Sequence, residues 1–243
     1  MRIVLTAVDR DLLDAWKESC ASIEGVVVHK GSILEVDCDA IVSPGNSFGF
    51  MDGGIDLIYS SHFGKHVQER LQKLIRTRHQ GELLVGTAEI IETDDQRIPF
   101  LIAAPTMRVP MVLRTGVNPY LAARAALLLI KNGKFPTGSN KGEPVENLVE
   151  TVAFPGLGTG VGGVSPKVCA RQFRAAIEDV VLEKLAFPRS WSDAQNRHQL
   201  MYTNSTRDLQ YDDEQRLGIA LRRAERFRQK LRNQRARIRK RWQ

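Results

Sequence analysis

Residues 39–56 read DAIVSPGNSFGFMDGGID, and the order of residue types in them decides the architecture. Ala40 to Ser43 form a very short apolar run that reads as a strand, stopped by Pro44-Gly45. A glycine-bearing loop follows through Gly54, and the pattern then predicts a helical stretch from about Ile55 to Thr77. A strand, a glycine loop and a helix in that order is where α/β proteins hold anions. Loop amides and the partly positive helix N-terminus point outward, and glycine lets the chain approach a phosphate closely.

The arrangement recurs late in the chain. Leu148 to Phe154 reads as a strand and Gly156 to Gly163 (GLGTGVGG) as its loop. Pro166 falls near the first turn of a helix running to about Ala186. Two such loops in one domain suggest a ligand with a diphosphate, whereas either loop alone reads equally well as a tight reversal with no ligand. Residues 158–163 match G-x-G-x-x-G, the pattern of a Rossmann dinucleotide site. Its context is missing: the preceding strand is late rather than first, and Glu178 and Asp179 fall inside the predicted helix. No GxxxxGK[ST] occurs, which excludes a P-loop on pattern.

Outward from these loops, strands are predicted at 2–8, 26–29, 87–92 and 98–103, and helices at 9–20 and from Asn118-Pro119 through Ile130. Alternating strands and helices argue for an α/β layered domain over residues 1–187. Residues 188–213 read as a connector from their Pro, Ser, Asn, Thr and Asp content. Residues 214–243 carry twelve Lys and Arg against two acids, a net of +10; with +7 overall, residues 1–213 are left at −3. The basic character therefore belongs to the C-terminal segment alone. Cys20, Cys38 and Cys169 are widely spaced and read as free thiols. Ile3 to Val8 is cut short of an export signal by Asp9, Arg10 and Asp11, so a soluble, cytoplasmic protein is expected.

Three motifs together resemble the macro domain family. Asp39 to Asn46 is similar to its D-A-I-V-N-A-A-N, and Asp56 stands ten residues after Asn46 behind Gly53-Gly54-Ile55, as an aspartate does in the hydrolytic members. Ala153-Phe154-Pro155 through Gly158-Thr159-Gly160-Val161 resembles A-F-P-x-x-S-T-G-I. The resemblance covers about 1–187 and implies a three-layer α/β/α fold with a mixed central sheet and ADP-ribose in a cleft at its crest. It also implies that Gly45, Gly53, Gly54 and Ile55 flank the distal ribose, that Asn46 bonds that ribose, and that Asp56 activates a water attacking it. Pro155, Gly158, Thr159, Gly160, Val161 and Gly162 would wrap the diphosphate. Asp56 also has a plain reading as a first-turn acid favoured by the helix dipole.

Three departures qualify the likeness. Gly31-Ser32-Ile33 stands where the family has G-D-I, so Ser32 and Ile33 would meet the adenine without a carboxylate. Gly162 replaces an aromatic that covers the distal ribose, which predicts a more open pocket. Met51 and Asp52 replace two glycines, and Asp52 is either a second candidate base or a liability beside phosphate. Phe48 and Phe50 read as core or as ligand-facing aromatics. His62 and His66 are four residues apart on a predicted helix but lack a third ligand, so neither a metal nor a cofactor is expected.

In the basic segment, Leu217, Leu221, Ala224, Leu231 and Ile238 fall at helical steps among arginines. The expectation is a basic C-terminal helix that contacts nucleic acid, against a solvated helix or a tail ordered only on binding. The first functional reading is an ADP-ribose-binding domain that hydrolyses ADP-ribose conjugates. The others are a non-catalytic ADP-ribose reader and a nucleic-acid-binding protein with a macro-like scaffold.

Overall fold

The computed structural model describes residues 1–206, 218 and 221–229. Six strands build one sheet: β1 (Arg2–Ala7), β2 (Val26–Lys30), β3 (Ala40–Ser43), β4 (Glu89–Glu92), β5 (Phe100–Ala103) and β6 (Thr151–Phe154). Their order is β2-β1-β6-β3-β5-β4, and every neighbouring pair is parallel except β4 with β5. The helices are α1 (Arg10–Cys20), α2 (Gly54–Phe63), α3 (His66–Arg78), α4 (Asn118–Asn132), α5 (Pro166–Val180) and α6 (Trp191–Leu200).

The strands are apolar on both faces, as a covered parallel sheet requires. Ile3, Leu5, Val42, Ile102, Val152 and Phe154 turn to one side and pack with Leu12 and Trp16 of α1, Leu127 of α4 and Phe173 of α5. Val4, Ile41, Leu101 and Ala153 turn to the other, against Tyr59 of α2 and Leu71 and Ile75 of α3. The result is a three-layer α/β/α fold with a mixed sheet. Phe173 sits edge-on to both Trp16 and Phe154, at 5.4 and 4.7 Å between ring centroids; burying each such ring stabilises the fold by roughly 2–3 kcal/mol. Asp39 fixes the register where β3 meets β6, because its carboxylate accepts the backbone N–H groups of Glu150 and Thr151.

Four elements differ from the sequence expectation. The helix expected from Ile55 to Thr77 is two helices, divided at Gly64, whose φ of 104° is outside helical geometry. The strand expected from Leu148 begins only at Thr151, because Val145–Asn147 form a single 3-10 turn just before it. The helix expected to reach Ala186 ends at Val180, and Glu183 lies beyond it with φ 52°. The expected connector contains α6, capped by the Ser190 hydroxyl on the Asp193 amide and tied to α5 where Arg171 donates to the Leu200 and Thr203 carbonyls. The first compact unit thus runs from Met1 to Asn204.

Of the expected basic helix, residues 221–229 are helical and all exposed; the rest of 214–243, apart from Gly218, lies outside the described residues. Among the described residues no helix is long and apolar enough to cross a membrane.

Candidate functional site

The strand order sets the site before any side chain does. β2, β1, β6, β3 and β5 run parallel, so their C-terminal ends lie side by side on one edge, at spacings of about 4.8 Å. A cleft of about 430 Å³ opens along that edge. From the β2 end it takes Gly31, Ser32 and Ile33, from β1 Val8 and Asp9, and from β6 Pro155, Gly158, Thr159, Gly160, Val161 and Gly162. From β3 it takes Gly45, Asn46, Gly53, Gly54, Ile55 and Asp56, and beyond β5 Thr106, Met107 and Pro110. All fourteen residues named from the sequence therefore line one cleft, and the two glycine loops face it together.

Asp56 is the buried carboxyl of the cleft, 6% exposed. Although it opens α2, it is turned toward β3 and accepts the Ser43 hydroxyl at 2.6 Å. Burial pushes its pKa up to about 6, and the Ser43 bond opposes that by favouring the ionised form. Glycine at 45 leaves room for the carboxyl where it stands: a Cβ there would press on Asp56 Oδ2, and the carboxyl would have to shift. Gly53 caps α2 without a side-chain bond, so the first-turn amides open on the cleft.

Asn46 does more locally than the sequence suggests. Its Oδ1 accepts the Phe48 and Phe50 amides at 3.1 and 3.3 Å, and its Nδ2 donates to the Phe50 carbonyl at 2.9 Å. The side-chain acceptor is spent within the loop, leaving one N–H for a ligand. Asn46 also pairs with Met107 in a short parallel bridge, which carries the β3–β5 pairing past the strand ends. Phe48 lies under the Arg108 guanidinium at 5.2 Å, outside the cleft; Phe50 lines it and is exposed. Asp52 is exposed on the rim.

The opposite wall is built from main chain. The amides of Thr159, Gly160, Val161 and Gly162 donate to no acceptor among the described residues, while Gly163 N and Val164 N close the loop onto the Gly160 and Gly158 carbonyls. Gly162 is a correction to the sequence reading. Its position is not open: it is buried, and a Cβ would lie 2.5 Å from the Gly158 carbonyl oxygen and 3.0 Å from Leu113. The Leu113 amide also donates to the Gly162 carbonyl at 2.8 Å, which pins the loop from outside.

Ser32 begins a 3-10 turn, Ile33–Glu35, and its hydroxyl accepts the Leu34 amide while Glu35 accepts the Ser32 amide. Its O–H hydrogen remains to donate. His62 and His66 face different aspartates, Asp95 and Asp94, each at 3.5 Å, and among the described residues no group of three His, Cys, Asp or Glu could hold a metal. Sequence reasoning missed Thr6, Asp9, Thr106 and Met107 in the cleft. The available signal was that any parallel strand delivers its following loop to the same edge.

A family model described as Macro domain matches residues 42–173. An uncharacterised protein of Aquifex aeolicus is 34% identical over 156 residues, covering 64% of this chain and 80% of its own. Among solved structures, the macrodomain of Mycobacterium tuberculosis DarG is similar at a TM-score of 0.50 and 20% identity, over 62% of this chain and 88% of that one. A mutant macrodomain of Oceanobacillus iheyensis, with ADPR, is similar at 0.51 and 20%, over 63% and 76%. At that identity the likeness speaks for the fold.

Proposed function

The chain belongs to the macro domain family, and from that premise we propose that it binds ADP-ribose in the crest cleft and hydrolyses ADP-ribose conjugates. The observation that carries this reading is the Asp56 carboxyl, buried in the cleft wall and bonded to Ser43. A carboxyl with a pKa of about 6 is mostly ionised at neutral pH yet basic enough to take a proton from water. The similar macrodomain that carries ADPR supports the choice of ligand.

In this reading the diphosphate accepts from the unpaired amides of Thr159 to Gly162 and from the first turn of α2. The nucleoside lies toward Ser32 and Ile33, and the distal ribose toward Gly45, Asn46, Gly53, Gly54 and Ile55. Asp56 takes a proton from a water as the water oxygen bonds to the anomeric carbon. The bond from that carbon to the target breaks, its electron pair leaves with the target, and the target gains a proton. Replacing Asp56 by Ala is expected to slow release of ADP-ribose from a mono-ADP-ribosylated protein or nucleic acid by about 10²–10⁴-fold. Release at the wild-type rate would remove Asp56 from the mechanism, and tight ADP-ribose binding by the wild type without release would leave a reader.

A second role is proposed for the basic segment, binding to nucleic acid. It is favoured by residues 221–229, where Arg222, Arg223, Arg226 and Arg228 are exposed with a single acid, Glu225. Changing these four arginines to Gln in the full chain is expected to reduce the salt dependence of duplex binding, by about 0.9 in log–log slope for each phosphate that is no longer neutralised. An unchanged slope would end the idea.

A further inference from the structure

Phe50 is an aromatic side chain held out in the cleft by its own loop. It is 52% exposed, and it lines the cleft together with exposed Ile58 and Val161, so the cleft presents a ring among its apolar lining. Its backbone is clamped at both polar atoms by the Asn46 amide. The next residue, Met51, is 2% exposed, with its amide bonded to Gln68 and its carbonyl to Ser60. With Met51 committed to the core, the chain cannot turn Phe50 inward without breaking those bonds. Phe50, Asn46 and Asp56 also line the same water-sized void of about 10 Å³, which puts residue 50 at the Asp56 end of the cleft. From the facing loop no side chain can serve this end at position 162, because the Gly158 carbonyl occupies the space.

We propose that Phe50 is the aromatic wall of the ribosyl end of the cleft, against which the C–H face of the distal sugar packs next to Asp56. This rests on the ADP-ribose reading of the cleft and adds which residue separates ADP-ribose from ligands lacking the second sugar. Asn46 acts here as a positioning residue, by fixing the loop that presents the ring.

Calorimetry with ADP-ribose and with ADP tests the assignment, because ADP has the nucleoside and diphosphate but no distal ribose. Phe50→Ala is expected to weaken ADP-ribose about five- to tenfold and leave ADP within about twofold, as removal of one ring from the sugar face implies. Phe50→Tyr, which keeps the ring, is expected to keep the preference. Thermal melts of both variants control for folding. Equal weakening toward both ligands, or an unchanged preference in Phe50→Ala, would overturn the proposal. A wild type that binds ADP and ADP-ribose equally would overturn it while sparing the nucleotide reading. One that binds neither would remove both.

Discussion

The two loops of the cleft follow the same plan, strand then glycines then helix, yet they work by different parts of the chain. The loop from β3 to α2 acts through side chains: Asn46 ties its backbone, Phe50 stands out in the cleft and Asp56 is buried against Ser43. The loop from β6 to α5 acts through main chain, with four amides unpaired and its glycine positions partly filled by neighbouring atoms. Glycine therefore means two things here. At 45 its missing Cβ makes room for a carboxylate, and at 162 for a carbonyl. A phosphate requires only donors on a rigid frame, whereas selecting a sugar and activating water require specific groups. On the proposed function, the division of labour follows from that chemistry.

The sharpest way to break this comparison is a single methyl group in the main-chain wall. Gly162→Ala sets a Cβ against the Gly158 carbonyl, a backbone atom that cannot swing aside. Overpacking of this kind costs about 1–3 kcal/mol, and here the strain falls on the amides proposed to bind the phosphates. ADP and ADP-ribose should both weaken by about tenfold or more, to similar degrees, since each carries the diphosphate. Calorimetry with both ligands reads this directly. Loss confined to ADP-ribose would mean that this wall also senses the second sugar, and the contrast with the Phe50 loop would collapse.

Legibility in the sequence divides along the same line. The main-chain wall was visible, because glycines after a strand and before a helix state a backbone requirement in one dimension. Asp56 was visible through the resemblance, which implies an aspartate ten residues after Asn46, but its orientation was not: a first-turn acid on a helix is equally at home facing solvent, and only the packing of α2 on the sheet turns it to Ser43. The Asn46 clamp and the display of Phe50 depend on the loop closing on itself and on Met51 finding the core, which no local pattern encodes. Asp9 and Thr6 were missed because strand order is a property of the folded sheet. Helix α6 was missed for a different reason. Its cap was written in the chain, as Ser190 followed three residues later by Asp193, but its polar composition outweighed that signal.

A smaller effect sharpens the side-chain half of the comparison, and it is read in stability. Asp56 titrates near 6 when folded and at 3.8 as an unhindered carboxyl, chiefly because burial disfavours the charge. Between about pH 4 and 6 the folded chain keeps a proton that the unfolded chain has lost. Raising the pH through that window ionises the buried group at a cost the unfolded chain does not bear, so this residue's contribution to stability falls as pH rises and levels off above about 6. Asp56→Asn removes the charge and leaves a carbonyl oxygen for the Ser43 hydroxyl. The variant should therefore be more stable than wild type at pH 7, on the order of 2 kcal/mol, or several degrees in Tm, and indistinguishable from it near pH 3.5. The carboxylates with lowered pKa, such as Asp94 and Asp193, titrate alike in both proteins and cancel in the difference. Ser43→Ala acts in the opposite direction on the same group: without the hydroxyl that favours ionisation, the inflection of any Asp56-dependent rate moves upward in pH. A stability difference that is flat across pH 4–7 would mean the carboxyl is hydrated in solution, and that the β3–α2 wall holds its acid no more tightly than the glycine wall holds its amides.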